Sequence, residues 1–300
     1  MTIEFDAPGT ESQTLAEGHN DAAFEVLKTL AAQLSKGDLE LPSLPDVVPR
    51  ICAAIDRDDC DARELAELFA SEPNLAGTIL KAGNSVTYRR RGVETTSLIT
   101  AIARLGDEFV RSLSFNFALQ QLRKSKDFRF IQQVLDPEWE RGRSVAGLCH
   151  ALARRTKRAH PDEVLTVGLV HNIGRIYLLT QDESLRHLDD SGQGLIDEWH
   201  PVIGSAIAEY WTLPEHAVQA IAQQSTPDTQ QDYTHDVSDI LAVAVAIAVA
   251  EEQAGPDSFD PTTVATMEPA QRLGADADLI ASVQRESRQL GELLGDVSDG

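Results

Sequence analysis

The sequence predicts an all-α protein. Almost every informative segment repeats its apolar residues every three or four positions, and several of these segments begin at a residue type that caps helices. One run, 241–250, alternates as a strand would, but no second strand pattern exists to pair with it, so we interpret it as a buried helix. The 300 residues, 42% of them hydrophobic, suffice for one large domain or two smaller ones with a real core.

The first 37 residues indicate a flexible tail followed by one helix, Ala22 to Leu34. Pro42 and Pro45 then frame an extended LPSLP segment, because proline fixes the backbone and restricts the residue before it. This segment leads into the first helix of the predicted core.

The next helices are predicted from their end signals. Asp61 is placed to cap one helix, and Ser71 with Pro73 is placed to begin another. A helix from Ser97 to Leu105 is closed by Gly106, since glycine accepts the left-handed conformation at a helix end. Asp107 and Glu108 open the following helix at its positive end. Further helices are predicted at Arg143 to Lys157, Val164 to Thr180, Pro201 to Trp211 and Glu215 to Gln223, and after a polar loop and a later link at Leu279 to Leu294.

Charge and cysteine content restrict the class of protein. The net charge of -22 opposes nonspecific binding to nucleic acid or to an anionic membrane, so we predict neither as a partner. The acidic start and a longest apolar run of only 11 residues, Ile240 to Ala250, indicate a cytoplasmic protein. The 3 cysteines match no metal or redox spacing and are expected to be small buried residues.

Basic residues concentrate in the middle of the chain. Residues 81–160 hold 16 of the 26 Lys and Arg but only 7 of the 48 Asp and Glu. The sequence therefore predicts a basic region within an acidic protein.

Six ordered stretches resemble the HDOD domain, an all-helical bacterial signalling module related to the HD and HD-GYP phosphohydrolases. The resemblance lies in LPSLPDVVPRICAAID, LAELFASEPNLAGTILKAGNS, TSLITAIARLG, WERGRSVAGLCHALA, GLVHNIGRIYLL and WHPVIGSAIAEYWTLPEHAVQAI. It implies a domain over residues 38–250, with an N-terminal helical lobe at 38–122 and an HD-like lobe at 123–250. The remaining residues, 251–300, are predicted to form a linker and an amphipathic helix.

The resemblance also places the remains of a metal site. In the related hydrolases, His and Asp converge on divalent metals that activate a water molecule. By the family's spacing the first His falls at Arg141, whose guanidinium cannot bind a metal. His171 is retained, but Asn172 replaces the Asp that follows it, and His200 matches a His of HD-GYP-like relatives. A His pair expected later is Gln223-Gln224, so we predict no catalytic residues, no metal and no cofactor.

The family's role implies a regulatory protein that acts through signalling partners of unknown identity. One alternative is a nucleotide or anion sensor in which Arg141 grips phosphate in the degenerate pocket. Another is a metal-dependent phosphohydrolase that uses His171, His200 and unrecognised ligands. For His171 itself, a hydrogen-bonded core residue is the simpler interpretation.

Two further features lie in the predicted N-terminal lobe. Asn84 and Ser85 end a helix, where Asn tolerates a turn and its amide bonds nearby backbone. Contact with a ligand is the alternative for this pair. Arg89, Arg90 and Arg91 form a candidate docking patch for an acidic partner, although a solvated loop explains them equally well.

Overall fold

The fold is described by a computed structural model, which covers residues 10–36, 38–57, 59–89, 93–188, 190–224, 233–255 and 258–296. Within these ranges every regular element is a helix and no strand occurs, so the predicted all-α fold is confirmed. The run at 241–250 is helical, as expected. No helix in the described ranges is both long and apolar enough to cross a membrane.

The chain forms helices in the following order. The first six are α1 Thr10–Lys36, α2 Val47–Ile55, α3 Ala62–Ala70, α4 Pro73–Gly83, α5 Leu98–Leu105 and α6 Asp107–Lys124. The next six are α7 Lys126–Arg129, α8 Gln132–Thr156, α9 Pro161–Val170, α10 Ile173–Gln181, α11 Asp190–Tyr210 and α12 Glu215–Ala222. The last four are α13 Tyr233–Ala254, α14 Pro261–Ala265, α15 Glu268–Leu273 and α16 Ala277–Asp296.

The predicted helix ends agree with the structure at three of four positions. The Asp61 carboxylate accepts the backbone N–H groups of Arg63 and Glu64, and the Ser97 hydroxyl accepts that of Thr100. Gly106 ends α5 with a positive φ of 83°. The prediction for Ser71 was wrong, because its hydroxyl donates back to the Leu68 carbonyl and so closes α3 instead of capping α4.

Several helices begin earlier than predicted. We expected starts at Arg143 and Pro201, but α8 and α11 begin about ten residues before these positions. Leu135 and Ile196, in the added turns, are fully buried. Their packing offsets the roughly 3 kcal/mol cost of the proline inside each helix, Pro137 in α8 and Pro201 in α11. Helix α1 likewise begins at Thr10 instead of Ala22. The predicted polar loop after Gln223 lies mostly outside the described residues.

The helices share one hydrophobic core, and by their contacts we describe them as two groups, an N-terminal lobe and a second lobe. In the N-terminal lobe α2, α4 and α5 pack on α6, and α3 packs on α2, α4 and α5. In the second lobe α8, α9, α12 and α13 form the centre, while α10 and α11 pack as a pair. Helix α6 contacts α9 and thereby joins the lobes, with the Ser112 hydroxyl 2.7 Å from that of Thr166.

The C-terminal segment is part of this structure. The link predicted before the last helix contains α14 and α15, and α16 lies along α8. Gly147 permits this crossing, since a Cβ atom there would lie 2.8 Å from the Ser287 carbonyl oxygen. The buried Asn116 amide of α6 also donates to the Leu294 carbonyl, 3.1 Å away. Helix α16 is therefore fixed to both lobes.

The extended LPSLP segment crosses to the second lobe. The Tyr177 hydroxyl donates to the Glu40 carbonyl at 3.1 Å, and the Trp211 indole N–H donates to the Pro42 carbonyl at 2.7 Å. Trp211 is 3% exposed, as expected for a core residue. These two bonds fix the start of the domain against α10 and the turn that follows α11.

Candidate functional site

The candidate site forms where one predicted helix is broken. We expected a single helix from Val164 to Thr180, but α9 ends at Val170 and α10 begins at Ile173. His171 and Asn172 lie in the break, and each is only 2% exposed. Asn172 has φ -101° and ψ 12°, outside the helical region. The apolar periodicity continues through the break, which explains why the sequence pattern does not reveal it.

Helix α8 lies close enough to bond directly to this break. Gly142 permits the approach, because a Cβ atom there would lie 3.3 Å from the Leu169 carbonyl oxygen. The Asn172 amide donates to the Glu138 carbonyl at 2.7 Å and to a Glu138 carboxylate oxygen at 3.2 Å. Asn172 therefore acts as a donor towards two oxygen atoms of one residue.

Glu138 is the centre of the site and was not identified from the sequence. It is 6% exposed, and its carboxylate accepts bonds from Asn172, Arg141 and Arg175. The Arg141 distances are 3.1 and 3.2 Å, and the Arg175 Nε distance is 2.9 Å. We call Glu138, Arg141, Asn172, Arg175 and Glu252 the buried ion-pair cluster, after the buried Glu138 at its centre; the arginines are partly buried, and Glu252, at its edge, is exposed.

Arg141 lies between two carboxylates. Its Nε and Nη2 donate to the Glu252 oxygens at 2.9 and 2.7 Å, and its Nη1 donates to Glu138. The hydrogen bond with Glu252 is the largest of the effects that raise the pKa of this guanidinium. Its charge is therefore compensated from within the chain.

Arg175 extends the cluster to the helix that carries His200. Its Nη1 donates to the Asp197 carboxylate at 2.6 Å, and its Nη2 donates to the Gln193 side chain at 2.9 Å. Helices α10 and α11 can approach closely because Gly174 has no side chain. A Cβ atom at this position would lie only 2.5 Å from the Gly204 backbone nitrogen and would clash with it. This contact holds His200 near the cluster.

His171, which is buried, and His200, which is partly buried, lie beside the cluster. The His171 Nδ1 lies 2.7 Å from the Gly168 carbonyl, and the His200 Nδ1 has no hydrogen-bond partner among the described residues. Burial is the largest effect on both groups and lowers the pKa of His171 to about 4 and that of His200 to about 3. The charges of His171 when protonated, of Arg175 and of Arg141 lower the pKa of His200 further.

The donors at this site do not fit a metal ion. A catalytic divalent metal needs several His and carboxylate ligands together. The Glu138 and Glu252 carboxylates are bonded to guanidinium groups, which would repel a cation. Asp239, on α13 just before its apolar run, is paired with Arg272 at 2.5 Å. No group of three or more His, Cys, Asp and Glu in the described ranges is placed to share a metal.

Gln223 and Gln224, at the end of α12, stand where a His pair was expected, and one of them bonds to the backbone of the helix break. The Gln224 amide donates to the His171 carbonyl at 3.1 Å and so supports the helix break. The Gln223 Oε1 is buried and finds no partner in the part of the chain that the structure describes. One residue of the pair thus bonds to the break that holds His171.

Asn84 and Ser85 lie away from the cluster, at the end of α4. The Asn84 side chain accepts the Thr95 N–H at 2.9 Å and donates to the Thr95 carbonyl at 2.8 Å. It thereby ties together the two ends of the intervening turn. Arg89 pairs with Glu94 at 3.1 Å, whereas Arg90 and Arg91 of the candidate docking patch lie outside the described residues.

We expect His171 and His200 to make the protein sensitive to mild acid. Their folded pKa values lie below the unfolded value of about 6.5, so the unfolded chain binds more protons as the pH falls. Stability is thus complete above about pH 6.5 and decreases from there towards pH 5. Each histidine contributes up to about 1.4 kcal/mol per pH unit. Urea unfolding monitored by circular dichroism at several pH values measures this slope.

The controls for this prediction are substitutions of single histidines. His171→Gln and His200→Gln should each flatten the slope between pH 6.5 and 5, a window above the range in which most paired carboxylates protonate. His187→Gln is the surface control, because that side chain is 58% exposed, and it should leave the slope unchanged. A wild-type stability that is constant across this window would contradict the assignment.

Comparisons with known proteins agree with the helical architecture. The family model of the HDOD domain matches residues 41–227. An HDOD domain protein of unknown function from Geobacter sulfurreducens superposes with a TM-score of 0.69 at 22% identity, covering 92% of this chain and 98% of that one. A protein from Shewanella amazonensis SB2B, provisionally named a phosphohydrolase, gives 0.65 at 21% identity, covering 88% and 97%. At these identities the likeness concerns the fold alone.

One curated relative is an uncharacterised protein of Treponema pallidum (strain Nichols). It is 23% identical over 233 residues, which are 73% of this chain and 44% of the relative. The chain therefore spans less than half the length of the relative it matches.

The order and packing of the helices define an all-helical protein. Because the family model covers more than half of its residues, the chain belongs to the HDOD domain family.

Proposed function

We propose that this chain is a noncatalytic regulatory protein that acts by binding other proteins. The observation that carries the proposal is the buried ion-pair cluster at the positions where the resemblance places metal ligands. Arg141 and Asn172 replace a histidine and a carboxylate, and both bond to Glu138. These side chains stabilise one another, and of the first three positions of the ligand set only His171 is retained.

The chemistry of hydrolysis explains why this matters. A metal-dependent phosphohydrolase lowers the pKa of a bound water molecule with one or two divalent cations. Here the positive charge is supplied by Arg141 and Arg175. A guanidinium group cannot coordinate a water molecule as a metal ion does, so it does not turn that water into a nucleophile. Both guanidinium groups are already bonded to carboxylates of the same chain. The arrangement supports a structural role for this former pocket.

The same contacts weigh against a phosphate grip by Arg141. Its guanidinium makes 4 hydrogen bonds to Glu138 and Glu252. A phosphate would have to displace at least one of these carboxylates, and the other would repel it. We therefore propose no anionic ligand at this position.

His171 provides the test that separates a regulator from an enzyme. Purified protein is assayed for phosphate release from nucleotides and phosphodiesters with Mn²⁺, Fe²⁺ or Mg²⁺, and partners are captured from the source cells and rebound as purified proteins. We expect no metal-dependent turnover. We also expect a stoichiometric complex with a partner that His171→Asn leaves intact.

The opposite pattern would overturn the proposal. Turnover that requires a metal and is lost in His171→Asn would establish an enzyme. Circular dichroism of the variant must show a folded protein, and His187→Asn, at an exposed position, is the matched control.

A further inference from the structure

A large cavity lies between the two lobes, away from the buried ion-pair cluster. Its volume is about 760 Å³, within the range of sites for organic ligands. Three segments surround it: the end of α4 with the turn that follows, the middle of α8, and α16. The lining includes Lys81, Ser85, Tyr88, His150, Arg154 and Glu286.

The charges around this cavity are predominantly positive. Arg154 and Arg155 share one carboxylate, Glu286, at 2.9 and 3.0 Å, so a single negative charge faces two guanidinium groups. Lys81 adds a further cation to the lining. His150 lies 3.3 Å from Asp162, which compensates that histidine when it is protonated. Two cations from the basic middle of the chain, Lys81 and Arg154, thus line the cavity beside one carboxylate, that of Glu286.

The turn at Asn84 and Ser85 forms one polar side of the cavity. The bonds between Asn84 and Thr95 fix the backbone of this turn, and the Tyr88 ring packs on Phe109 with centroids 4.8 Å apart. The Ser85 hydroxyl is buried and has no hydrogen-bond partner among the described residues. Ser85 is also one of the residues that line the cavity.

We propose that this cavity is a binding site for an organic phosphate of nucleotide size. Lys81 and Arg154 contact the phosphate, because guanidinium and ammonium groups form charge-assisted bonds to its oxygens. Ser85 donates a hydrogen bond to the same ligand. The remaining lining has both polar and apolar groups, such as Gln289, Ala151 and Leu290, which suit a base and a sugar. The volume exceeds what inorganic phosphate needs, so an ion alone would leave most of it unfilled.

This site is distinct from the degenerate HD pocket and does not depend on the proposed protein-binding function. The cluster around Glu138 lies on the part of α8 before Gly142, whereas the cavity is lined by α8 from Gly147 to Arg154. Binding here places a ligand between the N-terminal lobe, the second lobe and α16. A bound ligand would therefore stabilise the contact of all three by mass action.

Isothermal titration calorimetry with adenosine and guanosine mono- and diphosphates tests the proposal. We expect at least one to bind with a dissociation constant below about 1 mM. Binding should weaken at least tenfold in Lys81→Glu and in Ser85→Ala. Ser85→Ala removes a hydroxyl without a partner in the described structure, so its unfolding temperature should not fall while its affinity does. Lys28→Glu, 67% exposed on α1, is the matched control and should bind as the wild type does.

Three results would overturn the site. They are no binding of any of these nucleotides up to about 1 mM, equal binding of inorganic phosphate, and binding that Lys81→Glu and Ser85→Ala leave unchanged. If His200→Gln loses nucleotide binding while Ser85→Ala keeps the wild-type affinity, the ligand binds in the degenerate HD pocket instead of this cavity. None of these results bears on whether the chain binds a protein partner.

Discussion

Glu138→Ala is expected to lower the free energy of unfolding by about 3–5 kcal/mol, the typical cost of removing one partner from a buried ion pair. The substitution leaves the Arg141 Nη1, the Arg175 Nε and the Asn172 amide without their shared acceptor. Both arginines keep a second carboxylate, Glu252 or Asp197, which places the expected loss nearer the lower end of that range. Urea unfolding followed by far-ultraviolet circular dichroism measures it.

The same helix provides a control for this prediction. Glu140 is 69% exposed and pairs with Arg143 three residues later, so Glu140→Ala should cost less than about 1 kcal/mol. Glu138→Gln should fall between the two, because it keeps an acceptor oxygen but loses the charge. If Glu138→Ala costs no more than Glu140→Ala, the cluster does not stabilise the fold.

Asn172→Asp is expected to destabilise the protein by about 3–5 kcal/mol at neutral pH, although it restores the His-Asp pair of the related hydrolases. The amide now donates to the Glu138 carbonyl at 2.7 Å and to its carboxylate at 3.2 Å. A carboxylate at position 172 would bring negative oxygens against both acceptors in a buried site. Chemical unfolding at pH 7 compares the variant with the wild type.

The pH dependence and a second substitution identify the cause. Repulsion by Glu138 raises the pKa of the new carboxyl above its unfolded value, so the folded variant takes up a proton and part of the difference from wild type disappears as the pH falls to about 5. Glu138→Gln should also reduce the cost of Asn172→Asp. Asn74→Asp, at an exposed position in the first turn of α4, should be neutral or slightly stabilising. A cost that is unchanged by pH and by Glu138→Gln would exclude charge repulsion.

The sequence predicted the fold well where local chemistry decides the structure. Asp61 caps a helix because its carboxylate and the first free N–H groups are neighbours in the chain. Ser71 was misassigned because a serine at a helix junction can bond in either direction, and packing selects one. Helix starts at Arg143 and Pro201 were wrong for a similar reason, since burial of distant residues decides how far a helix extends.

The candidate site was only partly predictable. Arg141, His171, Asn172 and His200 were identified by resemblance, and the structure brings them to one region around Glu138. Glu138 stands three residues before Arg141, a spacing that places both on one helix face, and this signal was available in the sequence. Glu252 and Arg175 approach through tertiary contacts across distant segments, which no local pattern reveals.

Metal analysis of the purified protein tests the central claim most directly. The claim is that internal ion pairs occupy the former metal site, and it predicts less than stoichiometric iron, manganese or zinc after purification and after incubation with Mn²⁺. Asn172→Asp should not gain a metal either, because Arg141 and Arg175 remain. One metal ion per chain in the wild type, lost in His171→Ala while the protein stays folded, would contradict the account.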